Sequence, residues 1–398
     1  MKTLVFGWLQ NHTPSVEGLV RAGFSHDLTI SAQGLDKRFT EKACDLMKSV
    51  LESALSEVLK PTETLNHDLF QRFNAIYLHD CSTLNLPDAC LHVWQGVGGD
   101  AKCSALKLDA SLELITGMVG IKLLHGRESD NRSHHANACY GQNTLRVQDL
   151  GYFKLSRMRE QEARGEYWLS RLQPKTLIYQ ENQAIDLASQ LNNQAKQGNS
   201  KLELQAELGS QEKLPVRLLA WQLPEHIVAQ RKRTLKKAAQ KKNRKVNPDS
   251  LRLAGWQIVI TNAPMDKLSL NDCFLLYSLR WQIELLFKLW KTHAKLKHSV
   301  SANPWRVLCE IYAKLLGVVI SHWLILTGLW RIPEHSLVKG CQMIREQSAR
   351  LAHCVNDLAA LTALLEEISQ RFEVGCSLNT RKKQPNSCQQ LKSGYQFA

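Results

Sequence analysis

Residues 277–291 read Tyr277-Ser-Leu-Arg280-Trp-Gln-Ile-Glu284-Leu-Leu-Phe-Lys-Leu-Trp-Lys291. On a helical wheel the four residues numbered here fall within a stripe of about 60°, and the apolar residues lie roughly opposite. The stripe combines a carboxylate with a phenol and two cations. Such a set suits a site that holds a divalent metal ion and grips a phosphodiester, because the carboxylate offers a hard oxygen ligand and the others offer donors.

The same stripe has a second interpretation as a solvated helix face. Arg280 and Glu284 are four residues apart, and such a surface ion pair contributes only a few tenths of a kcal/mol (~0.2–0.5) to a helix. Helix geometry alone favours the solvated face. Two aspartates favour the site: Asp80 and Asp149 each follow a run that we predict to be a strand, so three separate carboxylates can converge where strands and a helix meet.

Apolar periodicity predicts helices at both ends of the chain and a mixed or antiparallel sheet between them. The predicted helices are Phe39–Leu59, Lys154–Arg164, one long helix from Asn271 to about Lys295, and apolar helices from there to Trp330, followed by a polar helical tail. The predicted strands are Ala75–Asp80, Leu91–Trp94, Ser104–Leu108, Leu112–Val119, Ile121–Leu124, Asn143–Gln148, Ser200–Leu208, Leu214–Gln222 and Gly255–Thr261.

Composition indicates a globular chain with a polyanionic partner. The 398 residues carry 51 Lys+Arg against 37 Asp+Glu, a formal charge of +14, which favours nucleic acid first and an anionic membrane surface second. Eleven scattered cysteines with no Cys-x-x-Cys pair predict reduced thiols in a cytoplasmic protein without a signal peptide. The apolar segment Leu315–Trp330 is too short and too polar at its centre for a membrane span, so we predict a buried core helix.

The positive charge is concentrated in residues 231–245, a segment without any acidic residue. Its nine cations are Arg231, Lys232, Arg233, Lys236, Lys237, Lys241, Lys242, Arg244 and Lys245. We expect this segment to bind phosphates without reading sequence, which makes affinity strongly dependent on salt. The alternative is a solvated surface segment with no binding role.

Residues 277–291 match a known signature. The pattern Tyr-x2-Arg-x3-Glu-x6-Lys resembles that of bacterial insertion-sequence DDE transposases of the insertion sequence 4 family. Upstream, Asp80-Cys81-Ser82 resembles the first-aspartate motif, usually Asp-Ser-Thr, from which Cys81 departs; we interpret Cys81 as a small packing residue. Asp149-Leu-Gly-Tyr-Phe resembles the second-aspartate region. The resemblance extends from about residue 30 to about residue 330.

The resemblance implies an α/β fold with an RNase H-like mixed-sheet catalytic core. Asp80 would end the first strand, Asp149 would end a later strand, and Glu284 would lie on a helix against the sheet. The long stretch between Asp149 and Glu284 is explained by a β-rich insertion. The implied segments are a helical DNA-binding region at 1–70, the first part of the core at 71–171, the insertion at 172–262, the second part of the core at 263–330, and a helical region with a basic tail at 331–398.

The implied activity is cut-and-paste transposition of DNA. By resemblance, Asp80, Asp149 and Glu284 would hold two Mg2+ ions, with Mn2+ as a substitute, that activate the attacking oxygen and stabilise the leaving one. Tyr277, Arg280 and Lys291 would hold the phosphate. The DNA partners would be the terminal inverted repeats and the target, brought together by a homodimer.

Trp256 resembles a tryptophan on which relatives stack a displaced base, although a core position on an apolar strand is equally consistent with its sequence context. Two alternative functions also stay open. One is a related metal-dependent nuclease or recombinase without strand transfer. The other is a DNA-binding derivative that has lost catalysis.

Overall fold

The structure is a computed structural model that describes residues 1–24, 28–57, 68–96, 103–241, 243–328 and 335–377. Its contacts divide the chain into two compact units. The first unit comprises Met1–Asn66, Asp80–His135 and Gln282–Thr380, and the second comprises His67–His79, Ala136–Trp281 and Arg381–Ala398. Lys242 and the basic tail near residues 381–383 lie outside the described residues. The division into five segments stays a prediction.

The described residues form helices and strands whose bounds are as follows. The helices are α1 (Lys2–Gln10), α2 (Val16–Phe24), α3 (Ala32–Asp36), α4 (Glu41–Ser56), α5 (Asp68–Gln71), α6 (His134–Asn137), α7 (Leu155–Ala163), α8 (Leu187–Lys196), α9 (Glu225–Lys241), α10 (Pro248–Leu253), α11 (Leu270–Leu279), α12 (Trp281–Thr292), α13 (Pro304–Gly328), α14 (Leu337–Glu346), α15 (Ser348–Cys354) and α16 (Leu358–Gly375). The strands are β1 (Ala75–Leu86), β2 (Ser104–Glu113), β3 (Val119–His125), β4 (Thr144–Gln148), β5 (Tyr167–Arg171), β6 (Ile178–Gln180), β7 (Gln183–Ala184), β8 (Lys201–Leu208), β9 (Leu214–Gln222) and β10 (Trp256–Thr261).

The first unit combines helices with strands β2 and β3. These two strands pair antiparallel, with Asp109 opposite Lys122 and Ser111 opposite Gly120. Every residue of β2 is buried. The predicted helical character of the N-terminal region is confirmed, and Thr40 begins α4 by accepting a hydrogen bond from the Ala43 backbone N–H.

The second unit is built on a mixed sheet. The first residues of β1 pair parallel with β4, and β4 pairs parallel with β5. Strand β10 pairs antiparallel with both β5 and β9, and β9 pairs antiparallel with β8. One apolar cluster fills this unit, and its large members include Trp168, Leu218, Trp256 and Ile260. The predicted strands corresponding to β4, β8, β9 and β10 are confirmed, as is the helix corresponding to α7.

Helix α13 contains residues 315–328 of the apolar run that we predicted to be a core helix, and residues 329–330 lie outside the described residues. Among the described residues it is the one helix long and apolar enough to cross a bilayer, and 78% of its apolar window is buried inside the protein. Phe6, Leu9 and Ile325 belong to one apolar cluster of the first unit, together with residues of the C-terminal helices. Burial of this kind is typical of a core helix.

Three strand predictions were wrong. Strand β1 does not end at Asp80 but continues to Leu86, because Leu84 and Leu86 are buried while Thr83 and Asn85 are exposed, an alternation that extends the strand. Residues Leu91–Trp94 form no strand: a 3-10 turn at Asp88–Cys90 precedes them, and further turn bonds follow. The predicted strand Leu112–Val119 is interrupted by a turn in which the Gly117 N–H donates to the Glu113 carbonyl oxygen.

The long helix predicted from Asn271 to Lys295 is two helices, α11 and α12, with Arg280 between them. The Arg280 backbone N–H donates to the Tyr277 carbonyl oxygen at 3.2 Å, so the bonding pattern tightens to three residues at this point. The predicted four-residue stripe assumed one uninterrupted helix. Tyr277 and Arg280 therefore lie at the end of α11, whereas Glu284 and Lys291 lie on α12.

Candidate active site and nucleic-acid interface

In the second unit, Asp149 lies beside Tyr277. Asp149 directly follows β4 and begins the 3-10 helix Leu150–Tyr152, and its side chain is half-buried. The Tyr277 hydroxyl donates a hydrogen bond to Asp149 Oδ1 at 3.4 Å. A residue of the 277–291 signature and a predicted catalytic aspartate are thus in contact, although 128 positions separate them in the sequence.

The phenol of Tyr277 is held in its neutral, donating form. Tyr277 is only 7% exposed. Burial raises the pKa of Tyr277, the cation of Arg280 opposes this, and the charge of Asp149 adds to it. The Arg280 guanidinium carbon lies 5.8 Å from the centre of the Tyr277 ring. The three side chains form one polar group at the end of α11.

In the first unit, Lys291 lies beside the Asp80 region of β1. Its ammonium donates a hydrogen bond to Ser82 Oγ and interacts electrostatically with Asp80. Because residues two apart on a strand point to the same side, Asp80 and Ser82 share one face of β1. Asp80 and Ser82 are half-buried, and Asp80 accepts a hydrogen bond from the Cys81 backbone N–H at 2.9 Å.

Lys291 is half-buried, and this environment weakens its hold on the proton. Burial first and the charge of nearby Lys297 second lower the pKa of Lys291 to about 8, although the charge of Asp80 opposes both effects. The side chain can therefore serve as a cationic phosphate contact at neutral pH. Glu284 lies two turns earlier on α12 and is half-buried, which leaves its carboxylate within reach of solvent.

The chemistry of the three predicted carboxylates suits a divalent ion. Oxygen donors are the ligands that Mg2+ and Mn2+ prefer. Within the part of the chain that the structure describes, no three His, Cys, Asp or Glu side chains come together as a group that could hold a metal ion. The requirement for a metal ion therefore stays a proposal that rests on the chemistry of these carboxylates.

Helix α9 contains the first part of the predicted basic segment. None of its residues is buried. Five of its Lys and Arg side chains are exposed: Lys232, Arg233, Lys236, Lys237 and Lys241. We call the first four of these the outer cations. Arg231 differs from them, because it is half-buried and donates a hydrogen bond to the Trp256 carbonyl oxygen at 3.1 Å. Arg231 therefore anchors α9 to β10, a role that the charge pattern did not indicate.

Trp256 occupies the first position of β10 and is only 5% exposed. It belongs to the apolar cluster of the second unit. A groove of about 570 Å3 beside α9 includes Trp256, Lys232 and Arg252 among its lining residues. Trp256 is thus packed as a core residue that also borders the groove.

Ser82 is a site residue that sequence reasoning did not assign. Its contact with Lys291 joins positions 209 apart in the chain, so no local pattern could reveal it. The available signal was its position two residues after Asp80, which places both side chains on one face of the strand.

The comparisons with known proteins give the family of the chain. A family model described as "Transposase DDE domain" matches residues 72–320, which is more than half of the chain. The chain belongs to this family of DDE-domain transposases.

Several curated relatives are transposases of bacterial insertion sequences. The transposase for insertion sequence element IS231F of Bacillus thuringiensis subsp. israelensis is 30% identical over 315 residues, 73% of this chain and 65% of that protein. The transposase for IS231B of Bacillus thuringiensis subsp. berliner is 27% identical over 342 residues, 79% of this chain and 70% of that protein. The transposase for IS1151 of Clostridium perfringens is 26% identical over 315 residues, 74% of this chain and 66% of that protein. The chain thus spans about two thirds of the length of these relatives.

Proposed function

We propose that this protein is a DNA transposase that cleaves DNA at the ends of an insertion sequence and joins the freed ends to target DNA. The observation that carries this proposal is the pairing of signature residues with aspartates inside each unit. Tyr277 donates to Asp149 in the second unit, and Lys291 bonds Ser82 and interacts with Asp80 in the first. Membership of the DDE-domain family supports the same activity.

The roles divide between acids and donors. Asp80, Asp149 and Glu284 act as the catalytic carboxylates. Tyr277, Arg280 and Lys291 hold the scissile phosphate through charge-assisted contacts, which position the backbone without reading its sequence. The match of residues 277–291 to the Tyr-x2-Arg-x3-Glu-x6-Lys signature supports assignment to the insertion sequence 4 family.

The proposed core is RNase H-like. Strands β1, β4 and β5 would form its parallel part, and the antiparallel strands β6 to β10 would belong to the insertion at 172–262. We propose that cleavage requires Mg2+, for which Mn2+ substitutes, because carboxylate oxygens favour these ions. Chelation should then stop cleavage and leave DNA binding largely intact.

The outer cations of α9 are the proposed nonspecific DNA contact, since they are exposed and no acidic residue lies between them. The outer cations would recognise the negative charge of DNA rather than its shape.

We further propose that a homodimer joins two DNA ends in the cytoplasm, because transposition must bring both ends of the element together. Stacking of a displaced base on Trp256 stays a proposal that requires the ring to open towards the groove.

A product analysis tests this function directly. Purified full-length protein is incubated with Mg2+, supercoiled target DNA and linear DNA that carries the inverted repeats flanking its gene. We expect cleavage at the repeat ends followed by joined products. Cleavage without joining would instead establish a nuclease, and tight binding without cleavage would establish a DNA-binding derivative.

A further inference from the structure

One face of β2 is polar although the whole strand is buried. Alternate positions of this strand carry Lys107, Asp109, Ser111 and Glu113, and all four are buried. Lys107 forms an ion pair with Asp130 at 2.6 Å. Glu113 accepts hydrogen bonds from the backbone N–H groups of the turn that follows it. Lys107 and Glu113 therefore stabilise the segments that they contact.

Asp109 has different partners. Its residue is 0% exposed. The Cys81 thiol donates to Asp109 Oδ1 at 3.3 Å, and the His135 backbone N–H donates to Asp109 Oδ2 at 2.9 Å. One carboxylate therefore joins β1, at the residue directly after Asp80, to the first turn of α6.

Close packing around this carboxylate requires a glycine on the neighbouring strand. Gly120 lies opposite Ser111 in the β2–β3 ladder. A Cβ atom at position 120 would lie 2.5 Å from Ser111 Oγ and 2.7 Å from His135 Cε1. Glycine at this position thus allows His135 to lie against the strand, where its backbone N–H reaches Asp109.

A carboxylate is a costly choice for this position. Neither the Cys81 thiol nor the His135 backbone N–H is charged, and a thiol is a weak donor, so these two hydrogen bonds only partly offset the burial of this polar side chain. Stability alone would favour an apolar or amide side chain. A costly buried group is expected where it orients a functional residue.

We propose that Asp109 is a positioning residue for Asp80 and acts through Cys81. Successive side chains of a strand point to opposite faces, so Cys81 points away from the face that Asp80 and Ser82 share. Asp109 holds Cys81 on that reverse face and thereby fixes the rotation of β1 at Asp80. This role rests on the proposed function, because the proposed function is what gives Asp80 a reaction to perform.

The test compares single-turnover cleavage at saturating DNA, the DNA dissociation constant and the thermal unfolding midpoint for full-length variants. We expect Cys81→Ala and Asp109→Asn to lower the cleavage rate constant about tenfold or more, because small misplacements of a reacting group carry large rate penalties. DNA affinity should change less than twofold. Cys81→Ser, unlike Cys81→Ala, should cleave at about the wild-type rate, since a hydroxyl is a better donor to a carboxylate than a thiol.

Two further variants sharpen the comparison. Glu113→Gln alters another buried carboxylate of β2 and should leave the rate constant within about twofold of wild type. The double variant Cys81→Ala with Asp109→Asn should be no slower than the slower single variant, because both changes break one connection.

The possible results separate this role from the proposed function. The positioning role is refuted if Asp80→Asn is inactive while Cys81→Ala cleaves like wild type, or if Cys81→Ser is as slow as Cys81→Ala. The positioning role is also refuted if the losses in cleavage rate are fully accounted for by the loss of folded protein in the same variants. An inactive wild type, or Asp80→Asn at the wild-type rate, would refute the proposed function and the positioning role with it.

Discussion

Replacing Tyr277 by phenylalanine removes one hydroxyl and keeps the buried ring. The hydroxyl lies 3.4 Å from Asp149 Oδ1, longer than the ~2.7 Å usual for an O–H···O hydrogen bond. We therefore assign this hydrogen bond no more than the usual net contribution of about 1 kcal/mol. If the hydroxyl orients Asp149 and the scissile phosphate, this free energy is lost from the transition state. The cleavage rate constant should then fall about fivefold.

Single-turnover cleavage on pre-bound DNA ends is the appropriate assay, with urea unfolding as the measure of stability. Tyr312→Phe is the matched control, because Tyr312 is also buried, at 8% exposed, and burial raises its pKa to about 12, yet it belongs to the core helix α13. We expect Tyr312→Phe to cleave at the wild-type rate. Equal rate losses in the two variants, or a Tyr277→Phe loss confined to stability, would refute the proposed orientation of Asp149 by the hydroxyl.

Three other predictions concern salt and pH. Glutamine at the outer cations should flatten the dependence of log affinity on log salt by about 0.9 for each phosphate that the protein no longer neutralises, as measured by fluorescence anisotropy; an unchanged slope would count against α9 as a DNA-binding element. Burial lowers the pKa of His322 to about 4 from 6.5, so the unfolded chain binds the proton first as pH falls. The free energy of unfolding should therefore decrease between pH 6.5 and pH 4, by about 3 kcal/mol in total, and urea titrations of His322→Gln should show a shallower decrease. Burial lowers the pKa of Lys291 to about 8, so its charge is lost as pH rises through 8. Affinity for DNA ends should fall between pH 7 and pH 9 in wild type but not in Lys291→Arg.

Sequence patterns predicted the elements in which apolar residues recur with a clear strand or helix period. Strands β8, β9 and β10 and helix α4 were found because their apolar periodicity is strong and uninterrupted. The signature at 277–291 predicted Tyr277 and Lys291 as phosphate contacts, which stays a prediction. The sequence could not show that each would lie beside a different aspartate, because those contacts depend on tertiary packing.

The missed features have physical causes. The strand β2 was divided in the prediction because a buried carboxylate at Asp109 is unusual, and its partners Cys81 and His135 are distant in the sequence. The break at Arg280 was invisible because arginine is a good helix former and its backbone remains in the helical region. Arg231 was grouped with the other cations, since composition cannot distinguish an anchoring arginine from an exposed one.

The central claim is that Asp80, Asp149 and Glu284 perform the chemistry. The most direct measurement is the single-turnover cleavage rate constant of Asp80→Asn, Asp149→Asn and Glu284→Gln on DNA carrying the terminal repeats. Asp186→Asn serves as the control, because Asp186 begins α8 and asparagine is an equally good helix cap. We predict a loss of about a thousandfold or more for each of the three, with DNA binding retained, and a wild-type rate for the control. Any one of the three cleaving at the rate of the control would contradict the assignment.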